Sequence, residues 1–188
     1  KRQVQGKHTM VLADQSSALP VCSSSPVSYD TVVGGLDDPE AACDWHVEQE
    51  LRTGKYTVTD YNFTTPSTSL LANNPTVVSL SASQGLELFD YPGLYSTKDQ
   101  GDTVAKLRMQ EEEASHMVVS GSSNCRGLAS GYMFQLKNHY RTDQNDNYVI
   151  TEVRHSASVG QTYTAAGTAF ETYSNHFTCI PSSVAYHP

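Results

Sequence analysis

The feature that most limits the possible folds is a period-two alternation of apolar and polar residues that recurs in the second half of the chain. It is clear in residues 132–137, 148–153 and 170–180, with turn-forming residues between these runs. Successive side chains of a β-strand point to opposite faces, so the alternation predicts strands. Pro181 ends the last run, because proline cannot donate a hydrogen bond to a neighbouring strand. From residue 116 onward the sequence predicts β structure.

Residues 86–115 carry a different combination of signals. An alternating run over 86–91 predicts a strand, and Pro92 and Gly93 follow it. Proline at the second and glycine at the third position predict a type II turn with a positive φ at Gly93. From about 97 to 115 the apolar residues follow helical spacing, after several residues that can cap a helix. This is the one helix that the sequence predicts.

These elements together predict a mainly β (α+β) fold, an antiparallel β-barrel with one inserted α-helix. Residues 1–63 are expected to form an irregular arm and strands, with a strand pair around Gly54. Residues 64–85 are rich in Pro, Asn and Ser and predict a linker or long loop, with one short strand over 76–80. The barrel domain is expected over 86–188. The chain opens at Lys1 rather than at a methionine, and we expect it to be a fragment of a longer protein.

Charge and hydropathy exclude two classes of function. The formal net charge is −8, and the 12 Lys and Arg residues are scattered, whereas a nucleic-acid groove needs clustered basic residues. No apolar stretch approaches the roughly 18 residues that a membrane-spanning helix needs. We therefore expect no nucleic-acid partner and no membrane-spanning segment.

Motifs of catalysis and metal binding are missing from the sequence. It has no G-x-S-x-G, H-E-x-x-H, Walker or G-x-G-x-x-G motif, and the four cysteines form no C-x-x-C pair. Four reduced thiols are the favoured interpretation, because a chain of this length needs no disulfides. Cys125 is interpreted as a small buried residue beside a turn, and the polar run 143–147 as a hairpin loop rather than a calcium loop. We assign no catalytic residue, no cofactor and no metal ligand.

Several segments, in this order, resemble VgrG, the spike protein family of bacterial type VI secretion systems, in the part that is similar to the baseplate hub of contractile-tailed phages. They are GKHTMVLAD (6–14), KYTVTDYNFTTP (55–66), FDYPGLY (89–95), SNCRGLASGYMF (123–134), YVITEVRH (148–155) and YSNHFTCIP (173–181). The chain departs from the family at Ser130, where the family commonly has proline, and at 174–176, where it often has a basic residue.

The resemblance implies a structural protein without catalytic activity. It implies a β-barrel hub that forms a homotrimer, docks on the hexameric Hcp tube and on baseplate proteins, and carries a puncturing needle and effectors. It also implies assembly in the bacterial cytoplasm, followed by secretion or delivery into target cells.

Three places are candidates for the interfaces of such an assembly. They are Trp45, the turn that contains Asp90, Tyr91 and Tyr95, and the acidic residues Glu111, Glu112 and Glu113. Each has a structural alternative, which is core packing for Trp45, turn geometry for the second place and a solvated face for the third.

Three other functions stay open from the sequence. The first is a hub of a phage or phage-like contractile tail. The second is a Cys-dependent hydrolase, which needs an exposed Cys125 beside a histidine in a cleft. The third is a ligand-binding barrel, which needs a deep apolar pocket with convergent polar groups.

Overall fold

The structure is a computed structural model that describes residues 2–4, 6–11, 13, 16–31, 39–78, 82–159 and 171–186. One α-helix and eleven strands are assigned in these ranges. They are β1 (Arg2–Val4), β2 (Lys7–Thr9), β3 (Val27–Tyr29), β4 (Ala41–Gln49), β5 (Lys55–Val58), β6 (Ala72–Pro75), β7 (Glu87–Asp90), α1 (Lys98–Ala114), β8 (Met117–Ser123), β9 (Met133–Lys137), β10 (Asn147–Val159) and β11 (Glu171–Pro181).

The chain forms two compact units. The first unit comprises residues 1–46 and 119–183, and the second comprises residues 47–118 and 184–188. The domain ranges predicted from the sequence group the residues differently, and they remain a prediction about domain organisation. β6 lies inside the range predicted as a linker, four residues before the short strand predicted there.

The first unit contains a six-stranded ring in the order β10-β11-β8-β4-β3-β9. The mainly β fold with one helix is confirmed, but the ring is not purely antiparallel. β3 pairs in parallel with β4 and with β9, and Val27 lies opposite Leu136. A parallel pairing needs a connection of about a dozen residues or more between its strands, and here β4 begins about a dozen residues after the end of β3, whereas β9 begins more than a hundred residues after it.

Aromatic side chains fill the inside of the ring. The ring of Trp45 lies 5.0 Å from Tyr148, 6.0 Å from Phe177 and 6.5 Å from Phe134, measured between centroids. Most of these pairs are tilted or edge-on, which is the arrangement that aromatic rings prefer. Phe134, Tyr148 and Phe177 are almost fully buried, so the period-two pattern of their strands directs every second side chain into one core.

The second unit packs α1 on a three-stranded sheet in the order β6-β5-β7. β5 pairs antiparallel with β6 and parallel with β7. The strand pair predicted around Gly54 is therefore wrong in its pairing, because β4 joins the ring while β5 joins this sheet. The core of the unit consists of Tyr56, Val58, Leu70, Ala72, Tyr95, Ala105 and Met109.

The turn after β7 differs from the predicted type II turn. Gly93 does not have a positive φ, whereas Leu94 does, at 56°, and the Tyr91–Pro92 peptide bond is cis. The sequence pattern correctly placed a turn here and assigned the unusual backbone conformation to the wrong residue. Gly93 is required for another reason, because a Cβ atom built on it would lie 2.3 Å from the Tyr95 ring and 2.7 Å from Val58.

Candidate assembly surface

The segment 89–96, called here the corner, is held by hydrogen bonds to the residues that follow β5. The Thr59 N–H donates to the Asp90 carbonyl at 3.2 Å, and the Gly93 N–H donates back to the Thr59 carbonyl at 3.0 Å. The Tyr95 N–H donates to the Asp60 carboxylate at 3.3 Å. The two segments 55–66 and 89–95, which carried part of the resemblance, therefore bind each other.

Tyr95 anchors the corner inside the second unit. Its side chain is buried, and its hydroxyl lies 2.7 Å from the Leu70 carbonyl and 3.0 Å from the Val58 carbonyl. Its ring covers Gly101, where an added Cβ would lie 2.5 Å from it. These contacts are those of a core residue and favour the alternative of core packing for Tyr95. Its interface role stays a prediction.

Other residues of the corner and its neighbourhood are open to solvent. Leu94 is 88% exposed, Phe63 82%, Phe89 60% and Tyr91 59%. Asp90 is exposed as well and accepts a hydrogen bond from the Tyr56 hydroxyl at 3.2 Å. Several large apolar side chains exposed on one unit are typical of a surface that contacts another molecule. Asp90 and Tyr91 therefore remain interface candidates.

The acidic run at the end of α1 has three different environments. Glu111 pairs with Arg108 at 2.8 Å, and Glu112 pairs with Arg52 at 3.2 Å. Glu113 is buried and accepts hydrogen bonds from the Thr76 hydroxyl at 2.7 Å and the Val77 N–H at 2.6 Å. Glu113 therefore fastens the chain after β6 to the helix and is not part of a solvated face. Glu111 and Glu112 stay interface predictions.

Trp45 lies in the aromatic core of the first unit and is half-buried. Its indole N–H donates to the Gln144 side-chain carbonyl at 3.1 Å, so its one polar atom has a partner inside the unit. The contacts of Trp45 are those of a packing residue. The interface role of Trp45 remains a prediction.

Cys125 does not have the surroundings of a nucleophile. Its side chain is fully buried directly after β8, and burial raises the pKa of its thiol to about 11. A thiolate is the reactive form, so a thiol with this pKa is almost fully protonated near neutral pH. The arrangement that a Cys-dependent hydrolase requires is therefore absent at this residue. The sequence-based interpretation of Cys125 as a small buried residue fits its position.

We expect the four thiols to react slowly with alkylating reagents in the folded protein. Burial raises the pKa of Cys22, Cys43 and Cys179 as well, and Cys43 is the one that is only half-buried. Alkylation by iodoacetamide near pH 8, followed site by site by mass spectrometry, should modify Cys43 first and Cys125 far more slowly. Rapid labelling of Cys125 in the folded protein would contradict its buried position.

One groove in the first unit is a candidate for a ligand site. A groove of about 510 Å³ crosses the first unit, and Asp44, His46, Ser122, Glu152, Arg154 and His176 are among its lining residues. Most of its lining residues are polar or charged, whereas a ligand-binding barrel has a deep pocket lined predominantly by hydrophobic and aromatic side chains. Within the described ranges, no group of three or more His, Cys, Asp or Glu side chains is placed to hold a metal ion. No helix in those ranges is both long and apolar enough to cross a bilayer.

Two further segments of the resemblance meet in the first unit. The side chain of Asn175 is fully buried, and its amide group donates to the Cys125 carbonyl at 2.8 Å. Its carbonyl oxygen accepts a hydrogen bond from the Ser123 hydroxyl at 2.8 Å. The segment 173–181 on β11 is thus hydrogen-bonded to the segment 123–134. Both segments contribute to the stability of the first unit.

Comparison with known proteins identifies the family. The family model for the phage tail baseplate hub (GPD) matches residues 2–161. The chain belongs to this baseplate hub family. The resemblance found from the short motifs is confirmed.

The curated relatives of this hub chain include spike proteins of type VI secretion systems. The chain is 28% identical over its whole length to the type VI secretion system spike protein VgrG1b of Pseudomonas aeruginosa, and 27% identical over 94% of its length to the actin cross-linking toxin VgrG1 of Vibrio cholerae. It covers 25% of the first protein and 16% of the second. The chain thus spans a quarter of the length of the Pseudomonas relative and a smaller share of the Vibrio relative.

A solved structure supports the fold. The 43 kDa tail protein of prophage MuSo2 from Shewanella oneidensis matches 90% of this chain, with a TM-score of 0.57 and 8% sequence identity, and the match covers 46% of that protein. At this identity the likeness shows the fold alone. The fold of the hub chain is therefore shared with a phage tail protein.

Proposed function

We propose that the chain is part of the hub of a type VI secretion spike and works by shape and assembly, catalysing nothing. The observation that carries the proposal is the similarity to VgrG spike proteins along the whole chain. Membership of the baseplate hub family supports it. The burial of Cys125 supports the non-catalytic part, because the thiol that a hydrolase would use is enclosed.

The proposed assembly is a homotrimer that caps the Hcp tube, contacts baseplate proteins and carries the needle and effectors. The protein would assemble in the bacterial cytoplasm and then be secreted or delivered into target cells. The exposed apolar residues of the corner are the part of the second unit best suited to contacts between molecules. Asp90, Tyr91, Glu111 and Glu112 are the residues we propose for such contacts, ahead of Tyr95 and Trp45.

The trimer is tested by the mass of the assembled protein in solution. Light scattering of the full-length product of the gene that encodes this chain should give the mass of a homotrimer. Electron microscopy of that product mixed with Hcp tubes should show it at tube ends. A full-length product that has the mass of one chain at micromolar concentration would overturn the proposed hub assembly.

A hub of a phage or phage-like contractile tail is the second candidate. The likeness of the fold to the prophage tail protein favours it. The same mixing experiment separates the two candidates, because a phage hub should bind its own tail tube protein and leave Hcp tubes bare. Genes for the tube and baseplate next to the gene of this chain would show which tube to use.

A further inference from the structure

The outer edge of β7 is an unpaired strand edge in the second unit. Among the described residues, β5 is the only strand that pairs with β7. The carbonyls of Leu86 and Asp90 accept hydrogen bonds from the β5 side, from Gly54 and Thr59. Backbone groups of alternate residues point to opposite sides of a strand. The N–H and C=O groups of Glu87 and Phe89 therefore point away from β5, to the open edge.

The side chains of β7 give this edge a simple pattern. All four residues of the strand are exposed, in the order Glu87, Leu88, Phe89 and Asp90. Two apolar side chains stand between two carboxylates. Glu87 already pairs with Lys55 at 3.0 Å, whereas the Asp90 carboxylate makes no ion pair among the described residues and accepts a hydrogen bond from the Tyr56 hydroxyl.

Charge decides which kind of strand could pair with this edge. The residues 47–118 of the second unit contain ten Asp and Glu and five Lys and Arg, a formal charge of −5. Opposite charges across a strand pair stabilise it, and like charges directly opposite destabilise it. Because the pattern of β7 is acidic–apolar–apolar–acidic, the complementary strand is basic–apolar–apolar–basic in either direction.

This chain does not contain the complementary pattern. Of its 12 Lys and Arg residues, Arg52 and Lys55 are the one pair spaced three apart, and Thr53 and Gly54 stand between them. A second copy can therefore offer only a poorly matched strand, and pairing of β7 with β7 can set carboxylates opposite each other. Exposed strand edges are usually protected against self-association by short length and charge, and the two carboxylates do that here.

We propose that the open edge of β7 is a docking site for an extended segment of another protein with a basic–apolar–apolar–basic core, which adds as a fourth strand to the sheet β6-β5-β7. The backbone groups of Glu87 and Phe89 supply the hydrogen bonds, and Leu88 and Phe89 supply the apolar contact. Addition of a strand to an open sheet edge is a common mode of peptide recognition. The site concerns the second unit alone, so it stands whether or not the chain forms the proposed trimer.

The site is tested with a probe peptide of about ten residues, capped at both ends, whose core is Arg-Ile-Val-Arg between Ser and Thr residues. Isotope-labelled protein titrated with this peptide should show shifts of the Glu87 and Phe89 amide signals, and hydrogen exchange of the Phe89 amide should slow. A peptide with the core Glu-Ile-Val-Glu should not bind. A peptide N-methylated on the edge that faces β7 should bind about tenfold more weakly or worse, because it loses one to two backbone bonds.

The chain offers matched variants for the same titration. Phe89→Pro removes an N–H that faces the open edge and leaves the β5 bonds, so the variant should fold and bind the peptide about tenfold more weakly than Phe89→Ser. Leu88→Pro removes an N–H that faces β5 and should lower the melting temperature instead.

The proposal is overturned by any of three results. The first is no binding of the basic peptide to the unaltered protein. The second is that the N-methylated peptide binds as tightly as the unmethylated one, or that Phe89→Pro binds the peptide as tightly as Phe89→Ser does. Either result would mean that the basic peptide binds the acidic surface by charge alone, without pairing with the strand. The third is self-association of the chain that Phe89→Pro abolishes, which would make a second copy the occupant.

Discussion

Gly93→Val should destabilise the protein by about 3 kcal/mol, near the upper end of the usual range for an overpacked core. A Cβ atom at this position would lie 2.3 Å from a ring carbon of Tyr95 and 2.7 Å from the Val58 side chain. Tyr95 and Val58 belong to the core of the second unit, so neither can move aside without opening that core. A thermal melt followed by circular dichroism should show a drop of roughly 6–12 °C for a chain of this length.

The neighbouring residue provides the matched control. Leu94 has a φ of 56° and a side chain that is 88% exposed. A left-handed conformation costs an ordinary residue roughly 1–2 kcal/mol, and glycine gives back part of this through its greater freedom in the unfolded chain. Leu94→Gly should therefore leave stability unchanged or raise it by up to about 1 kcal/mol. An unchanged melt for Gly93→Val, or a large loss for Leu94→Gly, would contradict this account of the corner.

The corner shows which features of this chain its sequence could not predict. Pro92 and Gly93 are the residue types that a type II turn prefers. The sequence contains nothing that places the ring of Tyr95 against Gly93. That contact depends on the path of the chain through Thr59 and Asp60, which bind the corner. The turn was predictable because it is local, whereas the reason for its glycine is a tertiary contact.

The ring shows the same limit at a larger scale. The alternation over 132–137 and 148–153 predicted β9 and β10, because each strand has one face in the core and the pattern is written in consecutive residues. β3 has only three residues, which is too short for an alternation to be seen. One of its parallel partners, β9, lies more than a hundred residues away in sequence, so the place of β3 between β4 and β9 could not be predicted.

The candidate surface was predicted in part. The sequence selected the corner and the end of α1, but it could not separate Tyr91, which is exposed, from Tyr95, which is buried. Both are tyrosines beside the same turn, and only packing distinguishes them. For the same reason the sequence predicts one acidic face over 111–113, although Glu113 is enclosed by the chain after β6.

Asn175→Leu should destabilise the protein by roughly 4 kcal/mol, because it removes the short hydrogen bonds of two buried polar groups, at about 1–3 kcal/mol each. In the unaltered protein the Asn175 amide bonds the Cys125 carbonyl, and its oxygen accepts from Ser123. Leucine has the branching of asparagine but is larger, so overpacking at this buried position adds to the loss of the hydrogen bonds. Urea unfolding of the variant, followed by tryptophan fluorescence, measures the change.

Ser174→Leu is the matched control for this network, because the same side chain is introduced one residue earlier on β11, where it points to solvent. Exposed substitutions usually change stability by less than about 0.5 kcal/mol. Ser123→Ala removes the hydroxyl that donates to Asn175 and accepts from the Cys125 N–H, and it should fall between the two variants, at about 1–3 kcal/mol. This order would mean that the signatures at 123 and 173 stabilise the fold by bonding each other. Equal losses for Asn175→Leu and Ser174→Leu would instead point to a general sensitivity of β11 to leucine.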